Sequence, residues 1–342
     1  MSDTSKGVVR TRAIAIYAIL LAGNALAWLC AWVLFSTEPT LMGAAILAYV
    51  LGLRHAVDAD HIAAIDNVVR KLVQDGQQPV STGFFFSLGH STVVVLAVLA
   101  VATTATALHD RFEAFVSVGG IIGKAVSAAL LLIVGLVNLI VLRQIWQASH
   151  RVRVEPYATH RADIAPSGGF LARLYAPVFR AISKSWHMYP LGFLFGLSFD
   201  TSSEVTLLGI SASQSGHGLS MWSILVFPAL FAAGMTLIDT TDGLLMVRAY
   251  GWALINPKRK LWYNFAMTFA SIAVAVFIGS IQIVGVLVDN AGLTGSVWQS
   301  IAGLGNDFTT FGFAIIGLFV ATWLLSALLY RSQQFDAVVV HA

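Results

Sequence analysis

The stretch Leu53-Arg54-His55-Ala56-Val57-Asp58-Ala59-Asp60-His61-Ile62 puts two histidines and two aspartates into a chain that is 57% hydrophobic. The segments on either side decide the fold class. Leu41–Ile62 is long enough to cross a hydrocarbon core, which takes roughly 17 to 25 predominantly apolar residues. Seven further runs have that length and character, near Ala13–Phe35, Thr82–Thr103, Val116–Leu142, Tyr189–Ala212, Ser223–Val247, Leu261–Val288 and Phe308–Tyr330. The reading is an all-α, polytopic membrane protein with eight transmembrane helices, forming a single domain over residues 1–342. Only 11% of the residues are charged and the mean hydropathy is +0.79, which excludes a soluble globule of this size.

The first apolar run exceeds a signal-peptide core and lacks a convincing cleavage site, so it is expected to remain as a helix. Cys30 is the only cysteine and falls in that run, which excludes an intrachain disulfide and a thiolate metal cluster. Lysine and arginine cluster before span one, after spans two, six and eight, and through the fourth connection, residues 143–187. The opposite connections carry almost none. By the positive-inside rule both termini and the 143–187 loop face the cytoplasm, with a short surface helix expected in that loop. The same bias accounts for the formal charge of +3 without invoking nucleic acid. Leu51-Gly52-Leu53 and Phe195-Gly196-Leu197 both lead into acidic residues, a short echo that points to an inverted repeat of spans two to four and five to seven.

An ionisable side chain inside the bilayer costs about 2.5–3.5 kcal/mol on insertion scales, so such residues need partners or a task. At 100° per residue, His55, Asp58 and Ile62 share one face of a straight second span, His61 flanks Asp58, and Asp60 points away. Either Asp60 orients an imidazole from behind, or the helix bends or unwinds to gather His55, Asp60 and His61. Two imidazoles beside two carboxylates form a binding set for a first-row divalent metal. The competing reading is a pair of His–Asp hydrogen bonds that glue helices together.

Other spans carry comparable groups. Span three holds Ser87 and His90; span five holds Asp200, Thr201 and Glu204, the two acids one turn apart; span six holds Asp239 and Asp242. Asn24 adds a polar group in span one. The candidate metal ligands are therefore His55, Asp58, Asp60, His61 and His90. Asp200, Glu204, Asp239, Asp242, Asn24, Ser87 and Thr201 are candidates for a cation route or for support of the ligands.

These motifs, in order, resemble those of the nickel/cobalt transporter family, whose hallmark is His-x4-Asp-His in the second span, here His55, Asp60 and His61. Phe84–Thr92, Leu194–Glu204 and Gly234–Gly243 resemble its further signatures. The resemblance implies a single-component secondary permease that imports Ni²⁺ or Co²⁺ across a bacterial cytoplasmic membrane. It also implies an essential role for the second-span motif, with Asp58 contributing. One departure bears on metal preference: the family commonly has Gly-Phe-Asp-Thr-Ala-Thr-Glu in span five, and this chain has Ser198-Phe199-Asp200-Thr201-Ser202-Ser203-Glu204. No Gly-x4-Gly-Lys-Ser/Thr phosphate loop occurs, so no ATPase subunit or nucleotide is expected. No cofactor is implied; the metal is cargo, and the lipid bilayer is the other partner. The alternatives are an exporter of the same metals and a membrane metalloenzyme. The second predicts paired histidine boxes, whereas His109, His150, His160, His187, His217 and His341 are scattered.

Overall fold

The computed structural model describes residues 3–104, 121, 124–133, 135–136, 139, 142–143, 182–197, 202–216, 219–253, 257–291, 295–305, 310–318 and 320–321. Among these residues all regular structure is helical. The helices used below are α1 (Asp3–Phe35), α2 (Pro39–His55), α3 (Ala59–Gln74), α4 (Thr82–Thr104), α5 (Lys124–Ile133), α6 (Met188–Gly196), α7 (Ser202–Gly216), α8 (Val226–Ala253), α9 (Pro257–Ala291) and α10 (Ser296–Leu304).

Among the described residues four helices are long and apolar enough to cross a membrane: Val9–Phe35, Thr82–Ala102, Met221–Tyr250 and Phe269–Asp289. A fifth candidate is the pair α2 and α3, which passes the same test as one span bent by 50° at the break between them. These five correspond to expected spans one, two, three, six and seven. Spans four, five and eight fall partly outside the described residues, as does the surface helix expected within 143–187. Ile14, Leu21, Leu26, Trp32 and Val33 of α1 are exposed, an apolar face suited to hydrocarbon.

Span two continues further than its hydropathy implies. α3 runs to Gln74 and buries Asp66, Asn67 and Arg70, which a hydropathy window assigns to the following connection. The break before it contains neither proline nor glycine. Asp58 takes an extended backbone conformation as the residue preceding α3, and its amide donates to the His55 carbonyl at 2.9 Å, closing the turn. Aspartate favours that position because its carboxylate normally caps the new helix. Here it caps nothing, having been recruited by His55. Gly312 packs directly on the Val57 carbonyl at the break, where a β-carbon has no room.

Four glycines set the spacing of the helices that carry the polar residues. A β-carbon on Gly52 would overlap the Phe231 carbonyl, and one on Gly234 would lie 2.8 Å from the Tyr49 carbonyl, so α2 and α8 touch backbone to backbone. A β-carbon on Gly192 would overlap the Phe86 carbonyl, and one on Gly89 the Tyr189 carbonyl, which does the same for α4 and α6. The two crossings share a register: Tyr-x2-Gly on one helix meets Phe-x2-Gly on the other. The glycine that matches Gly52 in this respect is Gly192, four residues before the Gly196 of the sequence echo. Small residues of this kind let helices approach where lipid supplies no hydrophobic drive.

Candidate metal centre

Three imidazoles meet at the break. His55 ends α2, His61 lies in the first turn of α3, and His90 faces them from the middle of α4. Each is at most 2% exposed, and one ring nitrogen from each lies within 4.8 Å of the other two. The kink brings His55 and His61 together: their ring centroids are 4.6 Å apart.

Carboxylates hold two of the rings from behind. His55 Nδ1 donates to Asp58 Oδ2 at 3.0 Å, and His61 Nδ1 donates to Asp239 of α8 at 3.2 and 3.4 Å. Asp239 also accepts a short hydrogen bond from Ser87 Oγ. A carboxylate on Nδ1 fixes the tautomer that leaves Nε2 as a lone pair, the arrangement metal-ligating histidines ordinarily have. His61 Nε2 is buried and has no hydrogen-bond partner. His90 Nε2 is 3.0 Å from His55 Nε2 and 2.9 Å from Glu204 Oε1, and that oxygen is 3.8 Å from His55 Nε2.

His90 Nε2 lies within hydrogen-bond distance of both His55 Nε2 and Glu204 Oε1, so a proton on it donates to one of them, and a cation that displaces that proton gains two nitrogens and a carboxylate oxygen. Metal–ligand bonds of about 2.1 Å, the zinc–nitrogen value, place neighbouring ligands at right angles roughly 3.0 Å apart and opposite ligands roughly 4.2 Å apart. The His55–His90 and His90–Glu204 separations match neighbouring ligands at right angles, and the 3.8 Å between His55 and Glu204 falls between the two values. With the imidazoles neutral, as ligation requires, and Asp58, Glu204 and Asp239 ionised, the cluster would carry a formal charge of −3, which favours a multivalent cation over a proton alone.

The other predicted residues divide. Asp60 is buried beside the cluster: it accepts its neighbour's backbone N–H, His61 N at 2.9 Å, and faces Gln282 of α9 at 3.5 Å. Of the two readings of the second span, the bend is present, and it gathers His55 with His61. Asp242 lies one turn from Asp239 with Oδ2 buried and unpartnered, within electrostatic reach of Asp239 and Asp66. Asn24 clamps α1 to its neighbours instead: it donates to Leu20 and Ala233 carbonyls and accepts from Tyr49 OH at 3.0 Å. Asp200 and Thr201 lie outside the described residues.

Sequence reasoning passed over several buried polar groups. Ser127 donates to Gln282 Oε1 at 2.9 Å, while Asp66 accepts from Tyr250 and from Ser271 Oγ, the latter at 2.6 Å. Ser127 and Gln282 are uncharged polar residues in apolar runs, and the bilayer cost that singled out His90 applies to ionisable side chains.

Bent and backbone-packed apolar helices around buried imidazoles and carboxylates define a multi-pass helical membrane protein with a polar cluster in its interior. Residues 41–329 match the NicO family, described as high-affinity nickel-transport protein. The chain is 50% identical over 340 residues to the "High-affinity nickel transport protein" of Cupriavidus necator, covering 99% of this chain and 97% of that one. It is 39% identical over 303 residues to the "High-affinity nickel-transport protein NixA" of Helicobacter pylori, 86% of this chain and 90% of that one. It is 41% identical over 295 residues to the "Cobalt transport protein NhlF" of Rhodococcus rhodochrous, 85% of this chain and 83% of that one. No solved structure matches the chain. The chain belongs to the NicO family, a family of transporters and not of enzymes.

Proposed function

We propose that this protein imports Ni²⁺, Co²⁺ or both across a bacterial cytoplasmic membrane as a single-component secondary transporter. The observation that carries the reading is the group of three buried imidazoles, two of them backed by carboxylates through Nδ1. His55, His61 and His90 bind the dehydrated ion with Glu204, while Asp58 and Asp239 orient His55 and His61. Nitrogen and carboxylate donors suit both metals, but Cu²⁺ binds such donors more tightly still, so cavity geometry has to supply the selectivity. For a doubly charged ion entering a negative interior, the membrane potential contributes about 4.6 kcal/mol per 100 mV. No ATPase subunit is needed for inward movement, and a proton gradient can add to the drive.

The topology we assign is eight spans with both termini cytoplasmic and spans two to four related to spans five to seven by inversion. The matched Gly52 and Gly192 crossings support the repeat. Inverted repeats that place a site between them are a recurrent transporter design. Accumulation of ⁶³Ni by intact cells tests the function. His61→Ala is expected to abolish uptake while its level in the membrane stays normal. Wild-type uptake by the variant would refute the site, and greater accumulation than wild type would identify an exporter.

A further inference from the structure

We infer that the cavity between α5, α9 and α10 is the outer vestibule through which a hydrated divalent cation reaches the imidazole cluster, with Gln282 and Asp60 as its inner wall. The inference rests on the proposed import reading and assigns that function its entry route. The cavity has a volume of about 260 Å³, and its polar lining is Lys124, Gln282, Asp289 and Gln299. At about 30 Å³ per water, an ion with six waters needs roughly 180 Å³, so it enters without losing its shell.

Placement gives the direction. α9 runs from the basic Lys258-Arg259-Lys260 to Asp289, and those 29 intervening steps span roughly 44 Å at 1.5 Å each. The cavity therefore opens at the face opposite the basic connections. Lys124 and Asp289 pair across it at 3.7 Å, with side chains 28% and 58% exposed. An exposed pair of this kind is weak, and a divalent ion competes well for the aspartate.

At the inner end the chemistry changes from exposed to buried. Gln282 is 4% exposed, and its amide is fixed at both ends: Oε1 accepts from Ser127 at 2.9 Å, and Nε2 donates to Asp60 Oδ2 at 3.5 Å. The other Asp60 oxygen accepts the backbone N–H of His61. A continuous polar path thus leads from the cavity to the backbone of a proposed metal ligand. This also gives a role to Asp60, a buried carboxylate beside three imidazoles whose oxygens meet the His61 backbone and Gln282. It receives the ion as waters are stripped, and the imidazoles then take over.

Cysteine labelling tests the route. Cys30, the only native cysteine, is exposed on α1 and is replaced by serine. Gln299→Cys is then introduced at the cavity rim. In intact cells a membrane-impermeant cationic thiol reagent is expected to label this variant, to slow ⁶³Ni uptake, and to react more slowly when Ni²⁺ is present. Labelling only in inverted vesicles, or labelling without effect on uptake, would overturn the assignment. Gln282→Leu keeps the volume but removes both bonds, and is expected to raise the KM for Ni²⁺ about tenfold at unchanged Vmax. An unchanged KM would remove Gln282 from the route. If the cysteine-free chain shows no His61-dependent uptake, the import reading itself has failed; if it does, a silent Gln299→Cys defeats only the vestibule.

Discussion

Replacing Asp239 by asparagine is the sharpest perturbation of the proposed metal centre, because it changes charge and donor pattern at nearly constant shape. Asp239 is fully buried and receives two donors, His61 Nδ1 and Ser87 Oγ. An amide offers one acceptor and one donor. If its NH₂ faces His61, two donors oppose each other and the ring moves its proton to Nε2, which removes the lone pair the ion needs. If its oxygen faces His61 the bond survives, but without the charge that roughly doubles its strength. A hydrogen bond to a charged group is worth about 1.5–3 kcal/mol, or about 10- to 100-fold in affinity at 1.4 kcal/mol per decade. Loss of a carboxylate behind a ligating histidine typically has that size. The KM for ⁶³Ni uptake, measured as initial rates in cells with the variant quantified in the membrane, is therefore expected to rise about 10- to 100-fold. A wild-type KM alongside an inactive His61→Ala would show that Asp239 does not hold the ring in its binding tautomer, and the centre would have to be rebuilt around other support.

Two further outcomes follow from packing and from proton competition. Gly52→Ala and Gly192→Ala each push a methyl group into a neighbouring carbonyl and are expected to lose about 1–3 kcal/mol of stability, read as a lower thermal midpoint in detergent; Gly209→Ala, which meets open space, serves as the control and should leave it in place. The KM for Ni²⁺ in proteoliposomes at clamped potential is expected to rise as external pH falls, because a protonated imidazole cannot ligate, by up to about a decade per pH unit for each ring. A KM independent of pH from about 8 to 5 would mean that imidazole does not bind the ion.

How far the centre was legible in the sequence depends on which residues carry a bilayer penalty. Four ionisable residues in seven positions, and His90, Glu204 and Asp239 in later spans, stand out because hydrocarbon makes each costly. The long apolar runs gave spans one, two, three, six and seven for the same reason, and Thr82–Thr103 differs from α4 by one residue. The wheel of a straight second span already put Asp58 on the face of His55 and turned Asp60 away. The pairing of His61 with Asp239 and of His90 with Glu204 was not legible, because those acids come from other helices. Asp66, Asn67 and Arg70 escaped because a hydropathy window cannot distinguish a polar connection from a helix half whose polar residues all point inward.

The origin of each group in the proposed metal centre has a mechanical consequence. His55, His61 and His90 come from α2, α3 and α4, whereas Glu204 and Asp239 come from α7 and α8. The imidazoles thus sit on the first proposed repeat, and two of the carboxylates that touch them sit on the second. The His90–Glu204 and His61–Asp239 contacts cross between the repeats, while His55–Asp58 stays within one. Any displacement of one repeat against the other stretches these crossing contacts, with His55–Glu204 and Ser87–Asp239, first and leaves the His55–Asp58 pair intact. The backbone-to-backbone crossings at Gly52 and Gly192 also join opposite repeats, and their lack of intervening side chains leaves helices free to slide or pivot with little repacking. Binding that draws imidazole and carboxylate onto one ion therefore pulls the repeats together, and separating them weakens the site by removing its charge before its nitrogens.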